Sequence, residues 1–278
     1  MPSWQSQCLD KGATIMNRLL ITGAAGGLGK VLRERLAPFA TTLRLSDLTG
    51  LGSAAPNEEL FPCDLGDAAA VHEMLGGVDA VVHLGGISVE AAFAPILNAN
   101  ITGVFNLYEA ARKRGVKRIV FASSNHVIGF YKQTEKLDAE APMRPDSLYG
   151  ISKGFGEILS RFYFDRYGIE TVCVRIGSSF SEPADRRMMS TFLSYDDLTE
   201  LMRCALQTPN VGHTIVYGAS DNRDAWWDNS KAAHLGFHPK DSSEPFRAKV
   251  EAQPPASPDD PMMVYQGGRF VTHGPFDQ

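Results

Sequence analysis

Short apolar runs alternate with longer helix-like segments from residue 16 to Ser178. Strands are predicted at residues 18–22, 42–46, 79–83, 118–122 and 171–176, with a further short strand ending near Cys63. Helices are predicted between them at residues 27–38, 67–75, 91–114 and 149–167. Strands that alternate with helices in this way form βαβ units with right-handed connections. The pattern therefore predicts an α/β fold with a doubly wound parallel sheet.

The alternation becomes less regular after Ser178. A helix is predicted to begin at Ser194, with two acids in its first turn, and a strand is predicted at residues 213–217. We find no internal repeat and no low-complexity linker. We therefore predict a core at residues 16–178 and a small C-terminal lobe at residues 179–278 that is integrated with it. Adjacent Trp226 and Trp227 are expected to fasten this lobe to the core.

Composition excludes several classes of protein. The formal net charge of -5 provides no basic face for a nucleic acid, and no apolar run reaches the roughly 18 residues that a membrane helix needs. Four scattered cysteines form neither a CxxC pair nor a Cys/His cluster, which favours reduced cytoplasmic thiols over a metal site. Residues 1–15 lack a signal-peptide core and are expected to be a disordered leader. The cysteines are Cys8, Cys63, Cys173 and Cys204.

A glycine-rich turn follows the first predicted strand. Residues 22–29 read TGAAGGLG and lead directly into the first predicted helix. Gly23 permits a tight turn, Gly26 lets the backbone approach a pyrophosphate, and Gly29 permits close helix–strand packing. The segment predicts a Rossmann-type dinucleotide site, and a purely structural glycine turn is the alternative. The residues expected on the dinucleotide are Gly23, Ala25, Gly26, Gly27, Leu28 and Gly29.

Asp47 ends the second strand 24 residues after Gly23 (47 − 23 = 24). A carboxylate near this position bridges the adenosine ribose hydroxyls and would repel the 2′-phosphate of NADP. Leu48 and Thr49 offer no cation for that phosphate, so NAD is the predicted cofactor. Asp47 could instead be a plain strand-end residue. Other cofactor contacts are expected after the third and fourth strands, at Asp64, Leu65, Leu84, Gly85 and Gly86.

Tyr149 and Lys153 lie four residues apart in the helix predicted at 149–167, which puts both on one helix face. A phenol is a poor base at neutral pH, but a neighbouring cation favours the phenolate. Ser124, just past the fifth strand, can hydrogen-bond the reacting oxygen. A YxxxK spacing is common by chance, so its significance depends on the strands that precede it. Ser124, Tyr149 and Lys153 are the predicted catalytic residues.

Together these motifs resemble the extended short-chain dehydrogenase/reductase family, the NAD-dependent epimerase/dehydratase relatives, from Asn17 onward. Within the family the resemblance is to the uronate dehydrogenases. Nucleotide-sugar relatives mostly carry HLAA where residues 83–86 read HLGG, and VYG where residues 127–129 read VIG. The segments that carry the resemblance are HLGGIS (83–88), FASSNH (121–126), LYGISK (148–153), VRIGS (174–178), RMMSTF (187–192) and WWDNS (226–230).

The resemblance implies oxidation of D-galacturonate or D-glucuronate at C1 to the aldarolactone, with hydride transfer to NAD. Tyr149 would take the hydroxyl proton, Lys153 would lower its pKa, and the C-terminal lobe would bind the sugar. Asn100, Ser123 and Ile176, with Tyr149 and Lys153, would contact the cofactor. The implied substrate contacts are Ser88, Ser124, Asn125, His126, Tyr149, Ser178, Arg187 and Phe270.

Alternatives remain open at this stage. Arg187 could form a surface ion pair, and His126 could be a loop histidine without chemistry. A nucleotide-sugar epimerase or dehydratase fits the same scaffold, although only about 100 residues follow Ser178 to hold a second nucleotide. A non-catalytic NAD-binding protein is the third reading. The relatives often dimerise through two long helices, here 91–114 and 149–167, so a homo-oligomer is expected.

Overall fold

The computed structural model describes residues 15–254, 257–274 and 276, so all of the expected leader except Ile15 lies outside the described residues. Seven strands form one sheet in the order β3-β2-β1-β4-β5-β6-β7, and every pair of neighbours is parallel. The predicted doubly wound parallel sheet is therefore confirmed. The strands are β1 (Met16–Thr22), β2 (Ala40–Ser46), β3 (Glu58–Leu60), β4 (Ala80–His83), β5 (Arg118–Ser124), β6 (Glu170–Ile176) and β7 (His213–Gly218).

Helices cover both faces of the sheet. Within the described residues, none is long and apolar enough to cross a membrane. The α-helices are α1 (Gly27–Arg35), α2 (Ala68–Met74), α3 (Phe93–Ile96), α4 (Gly103–Arg114), α5 (Leu148–Tyr167), α6 (Met188–Thr191), α7 (Tyr195–Gln207), α8 (Arg247–Glu251) and α9 (Pro261–Val264). The 3₁₀ turns are Ala37–Phe39, Asn125–Ile128, Ser230–Leu235, Glu244–Phe246 and Gly268–Thr272.

Two hydrophobic clusters lie on opposite faces of the sheet, because successive strand residues point to opposite sides. Leu19 and Ile21 belong to the cluster that includes apolar residues of α1 and α7. Leu20, between them, belongs to the cluster that includes residues of α2, α4 and α5. This double burial explains why the central strands are apolar runs rather than alternating ones.

Two helix predictions differ from the structure. The helix expected at 27–38 ends at Arg35, and a 3₁₀ turn follows that contains Pro38, which cannot continue an α-helix. The helix expected at 91–114 is divided into α3 and α4 by a π-helical turn at Leu97–Thr102. Such turns recur at functional sites, and this one carries Asn100.

The C-terminal region is joined to the core by main-chain structure. Strand β7 pairs with β6 along its length, so the sheet itself continues beyond Ser178. Trp227 stacks on Tyr217 of β7 with ring centroids 5.0 Å apart, and its Nε1 donates to the Gln266 side chain at 2.9 Å. The residues after Ser178 thus extend the sheet of the core, whereas these two contacts of Trp227 lie within the C-terminal region itself. The integrated lobe and the fastening role of the tryptophans stay predictions.

Candidate active site

A cavity of about 950 Å³ opens at the carboxyl ends of the strands. This is the edge where ligands bind in open α/β sheets, and the volume suits a cofactor with a small second ligand. The glycine turn after β1 lines one end, and the segments after β5 and β6 line the other. The cavity thus has a glycine-rich end and a basic end.

Close backbone contacts explain the glycine turn. Gly23 adopts φ +69°, and a Cβ at Gly29 would lie 2.0 Å from the Gly23 carbonyl oxygen. A Cβ at Gly27 would meet nothing within 4 Å, so the backbone there borders open space. Helix α1 begins at Gly27 without a side-chain cap, which leaves its first N–H groups for an anion. All six residues predicted on this turn line the cavity.

Asp47 lies beside the glycine turn at the end of β2. Its Oδ2 accepts a hydrogen bond from the Ala25 N–H at 3.0 Å, and its Oδ1 accepts one from Leu48 at 2.8 Å. Thr49 and Gly50 continue the wall, and no described lysine or arginine lines the cavity at this end. The arrangement suits ribose hydroxyls and gives nothing to neutralise a 2′-phosphate.

Four residues predicted as cofactor contacts do not line the cavity. Asn100 is buried behind the wall, where its Oδ1 accepts from Ile87 N–H at 2.8 Å and its Nδ2 donates to Ser152 Oγ at 2.9 Å. It thereby ties the loop after β4 to helix α5. Asp64 accepts from the Gly66 N–H, and Leu65 lies beneath Gly85, where an added Cβ would be 2.9 Å from Leu65 Cδ1. Leu65, Gly85 and Asn100 are buried behind the wall, whereas Asp64 is exposed outside the cavity.

Tyr149, Lys153 and Ser124 converge at the middle of the cavity. All three side chains are nearly buried, and Lys153 Nζ lies 5.6 Å from the centroid of the Tyr149 ring. Burial raises the pKa of Tyr149 to about 12, and a hydrogen bond with Ser124 opposes this rise. Burial also lowers the pKa of Lys153 to about 8. The pKa of Tyr149 thus moves opposite to our expectation, because loss of water around the phenolate raises it and the Asp146 charge adds to the rise.

The start of α5 is fixed by two caps. Ser147 accepts a hydrogen bond from Gly150 N–H, which satisfies one free donor of the first turn. The Glu90 carboxylate accepts from the N–H groups of Leu148 and Tyr149 at 3.1 and 2.8 Å. Glu90 lies two residues after Ser88, so the same contact holds Ser88 at the cavity.

Arg187 supplies the positive charge of the basic end. Its side chain is buried, its Nε donates to the Gln266 carbonyl at 2.7 Å, and its Nη1 lies 3.4 Å from Ser178 Oγ. The Asn125 amide accepts from Nη2 at 2.7 Å and donates to the Ile176 carbonyl. Arg187 forms no ion pair with any carboxylate of the described residues. Burial lowers its pKa, so this cation is only partly compensated by the protein.

His126 and Phe270 complete this end. Their rings stack with centroids 3.7 Å apart, and the His126 ring meets Tyr149 edge-on at 5.7 Å. His126 Nδ1 lies 2.8 Å from Asp146 Oδ2. All eight predicted substrate contacts therefore line the cavity with Ser123 and Ile176.

Sequence reasoning missed a part of the wall that comes from the C-terminal region. The segment that follows Gly177 and the turn before Phe270 both reach the cavity, although they lie about 90 residues apart. For this region the sequence signals were the RMMSTF and VRIGS segments and Phe270. The additional lining residues include Val89, Gly177, Ser179, Phe180, Asp185, Met188, Tyr195, Met262, Gly267 and Arg269.

A buried polar network lies beneath the predicted catalytic residues. Glu157, two turns after Tyr149 on α5, accepts from Ser123 Oγ at 2.5 Å and from Arg175 through two hydrogen bonds of 3.0 and 2.8 Å. Arg175 also donates to the Tyr217 hydroxyl at 3.1 Å. The network links α5 to β5, β6 and β7 at the level of the cavity floor.

A family model described as the NAD-dependent epimerase/dehydratase family matches residues 19–195. The chain belongs to this family. Within the described residues of this family member, no group of three or more His, Cys, Asp or Glu side chains could hold a metal ion.

The similar proteins compared with this chain are uronate dehydrogenases. The chain is 66% identical over 265 residues to the uronate dehydrogenase of Pseudomonas putida, and the aligned region covers 95% of this chain and 99% of that protein. It is 55% identical over 264 residues to the uronate dehydrogenase of Agrobacterium fabrum, and the aligned region covers 95% of this chain and 100% of that protein. A crystal structure of a mutant uronate dehydrogenase from Agrobacterium tumefaciens complexed with NAD superposes with a TM-score of 0.93 at 55% identity, covering 95% and 100%.

The residues of this epimerase/dehydratase-family chain fit NAD. Gly23 and Gly29 let the turn pack tightly because a Cβ there would clash with the backbone, and the open space beside Gly27 leaves room for the pyrophosphate. Asp47 presents a carboxylate for the ribose, and Lys153 lies buried at the cavity centre with no hydrogen bond described to another residue. The glycines and Asp47 match the glycine and acid positions of the dinucleotide fingerprint.

Proposed function

We propose that this protein oxidises D-galacturonate or D-glucuronate at C1 with NAD and releases the aldarolactone. The observation that carries the proposal is Arg187, a buried guanidinium on the cavity wall that forms no ion pair with a described carboxylate. A planar guanidinium binds a carboxylate through paired hydrogen bonds. The uronate dehydrogenases at 55–66% identity support the same substrate class.

The residues divide into two groups with different tasks. Arg187 would hold the C6 carboxylate, with Asn125 and Ser178 beside it, so that C1 lies toward Tyr149. When bound, NAD supplies the hydride acceptor. The Tyr149 phenolate would take the proton of the C1 hydroxyl, while Ser124 hydrogen-bonds the same oxygen. Lys153 would stabilise the phenolate and bind a ribose hydroxyl.

The test is NADH formation from four sugars, D-galacturonate, D-glucuronate, D-galactose and UDP-galactose, each with NAD and with NADP. We expect turnover of the two uronates with NAD. Tyr149→Phe should lose at least about 100-fold in kcat because it lacks the general base. Arg187→Met should raise the KM for uronates about 10- to 100-fold, the effect of one charged hydrogen-bonding group.

The neighbouring Arg186 provides the matched control. It donates to the Glu251 and Gln253 carbonyls and lies outside the cavity, so Arg186→Met should leave the uronate KM unchanged. Equal turnover of galactose and galacturonate would refute carboxylate recognition. Turnover of UDP-galactose alone would instead assign the chain to nucleotide-sugar chemistry.

We further propose that the protein forms a homo-oligomer through α4 and α5. Phe105 on α4, and Ile151, Ile158 and Phe162 on α5, are exposed apolar side chains on these neighbouring helices. Burying them against a second copy would build a four-helix contact. Light scattering should give an oligomer, and the Ile158→Lys, Phe162→Lys double variant should give a monomer. Ile15→Lys, at an exposed apolar site outside the helices, is the control.

We also propose that the protein acts in the cytoplasm. Within the described residues, Cys63 and Cys173 are buried free thiols, which suits a reducing compartment. Cell fractionation should recover the uronate activity in the soluble cytoplasmic fraction. Recovery with membranes or in the culture medium would contradict this assignment.

A further inference from the structure

Asp146 is a buried carboxylate at the basic end of the cavity that the proposed reaction has not used. Its side chain is 0% exposed, and its Oδ2 lies 2.8 Å from His126 Nδ1. Its Oδ1 accepts a hydrogen bond from Ser147 Oγ at 2.7 Å. Both carboxylate oxygens therefore have defined partners, and one of these partners lines the cavity.

Two glycines from distant segments make room for this carboxylate. A Cβ at Gly129 would lie 1.8 Å from Asp146 Oδ2, and a Cβ at Gly267 would also lie 1.8 Å from it. The two glycines are themselves joined, because Gly267 N–H donates to the Gly129 carbonyl at 2.9 Å. The position of the Asp146 carboxylate is thus fixed from three sides.

The contact determines which ring nitrogen of His126 carries a proton. An ionised carboxylate only accepts hydrogen bonds, so Nδ1 must donate to it. In the neutral ring, Nε2 then has a free lone pair and acts as an acceptor. Phe270 stacks on one side of the ring at 3.7 Å and keeps its plane fixed at the cavity wall.

We propose that Asp146 is a positioning residue for the sugar: it holds His126 in the Nδ1–H tautomer, so that Nε2 accepts a hydrogen bond from a hydroxyl group of the hexuronate. The inference rests on the proposed function and deepens it. It assigns His126 an acceptor role, which complements the donor role of Arg187 at the same end of the cavity.

The charges around His126 predict how this acceptor responds to pH. Asp146 and Glu90 raise its pKa, whereas burial, the largest effect, and Arg187 lower it; the Tyr149 phenol also faces the ring. The net pKa is below its usual value, so the ring is neutral at pH 7. As the pH falls through this pKa, Nε2 gains a proton and can no longer accept. The uronate KM should therefore rise on the acid side.

Asp146→Asn tests the proposal with a side chain of the same shape. Its amide can donate or accept, so it no longer selects one tautomer. We expect the uronate KM to rise about tenfold, as for one lost hydrogen bond, with kcat changed less than about threefold. Loss of the negative charge lowers the pKa of His126 further, so the acid-side rise in KM should move to lower pH. Asp138→Asn, which alters a carboxylate outside the cavity, should change neither quantity.

A double-mutant cycle separates positioning from general structural damage. In a His126→Asn background, Asp146→Asn should change the uronate KM less than about twofold, because the acceptor is already lost. An equal change in both backgrounds would overturn the proposal.

Nitrogen-15 NMR of the His126 ring gives a readout that does not need turnover. The wild-type protein should show a neutral ring protonated at Nδ1, and Asp146→Asn should show a mixture of tautomers. A wild-type ring protonated at Nε2 would overturn the proposal even if uronates are oxidised. Absence of uronate turnover with an Nδ1–H ring would instead refute the proposed function.

Discussion

Breaking the buried Glu157–Arg175 pair should be one of the most damaging conservative changes in this protein. Both side chains are 1% exposed, and two hydrogen bonds of 3.0 and 2.8 Å join them. Glu157→Gln retains the shape of the side chain but leaves the Arg175 charge without its counter-ion. Loss of one partner of such a pair lowers the free energy of unfolding by about 3–5 kcal/mol. At about 2–4 °C per kcal/mol, Tm should fall by roughly 6–20 °C.

Replacing both partners should be less harmful than replacing one. A Glu157→Leu, Arg175→Met double variant contains no unpaired charge, and it leaves only the Ser123 and Tyr217 hydroxyls each short of one partner. That loss should cost about 1 kcal/mol for each hydroxyl. The double variant should therefore unfold at a higher denaturant concentration than Glu157→Gln.

Chemical denaturation followed by circular dichroism measures these differences, and calorimetry gives Tm. The control is Asp165→Asn, which breaks an exposed pair with Arg161 on the same helix and should cost less than about 0.5 kcal/mol. If Glu157→Gln lowers the free energy of unfolding no more than this control does, the buried Arg175 charge does not need Glu157 as its counter-ion. A double variant less stable than Glu157→Gln would also refute the reasoning.

Three further predictions concern the cavity. Asp47→Ser should raise the KM for NAD about tenfold and improve the use of NADP relative to NAD. The substitution removes both the acceptor for the ribose hydroxyls and the carboxylate that repels the 2′-phosphate of NADP. Steady-state kinetics with both cofactors measures these changes. Lys153→Met should be inactive. It should nevertheless be more stable than the wild type at pH 7, with a free energy of unfolding higher by up to about 3 kcal/mol. The reason is that burial lowers the pKa of Lys153 from 10.5 to about 8 and so disfavours its charged form in the fold. This gain should shrink as the pH rises above about 8 and vanish above 10.5, which thermal unfolding across that range would detect. The Gln266 carbonyl binds Arg187, and the Gln266 side chain holds it in place through contacts to Trp227, Lys132 and Glu135. Gln266→Leu breaks these side-chain contacts, so the uronate KM should rise about 3- to 10-fold. The KM for galactose, where it can be measured, should stay constant.

The parts of the site that sequence reasoning found are those with a local cause. Gly29 is a glycine because a Cβ would clash with Gly23 and Ala24 in the same turn, and Gly23 adopts φ +69°, so local geometry makes the spacing recognisable. Tyr149 and Lys153 share a helix face, which the four-residue spacing fixes. The apolar runs similarly predicted all seven strands, with shifts of a few residues at their ends.

The parts that sequence reasoning missed depend on contacts across the chain. Asp146 precedes Ser147 at a helix start, where an acid usually serves only as a cap or turn residue, and its role depends on His126 and on a glycine 121 residues later (267 − 146 = 121). Asn100 was predicted as a cofactor contact, but its side chain bonds Ile87 and Ser152. The π-helical turn that carries it has no periodic signal in the sequence.

The balance of buried charge explains how the cavity would choose its substrate. Lys153 and Arg187 place two buried cations on its wall, besides the exposed Arg269, and burial lowers the pKa of both buried groups. Asp185 and Asp146 attract Arg187, but neither forms an ion pair with it and Asp146 is committed to His126, so they do not fully compensate the guanidinium. A sugar carboxylate would supply the missing charge, whereas a neutral sugar would displace water and leave Arg187 without a counter-ion. Selectivity then arises mainly from the penalty on the wrong substrate, which is the stronger form of discrimination for a buried polar group.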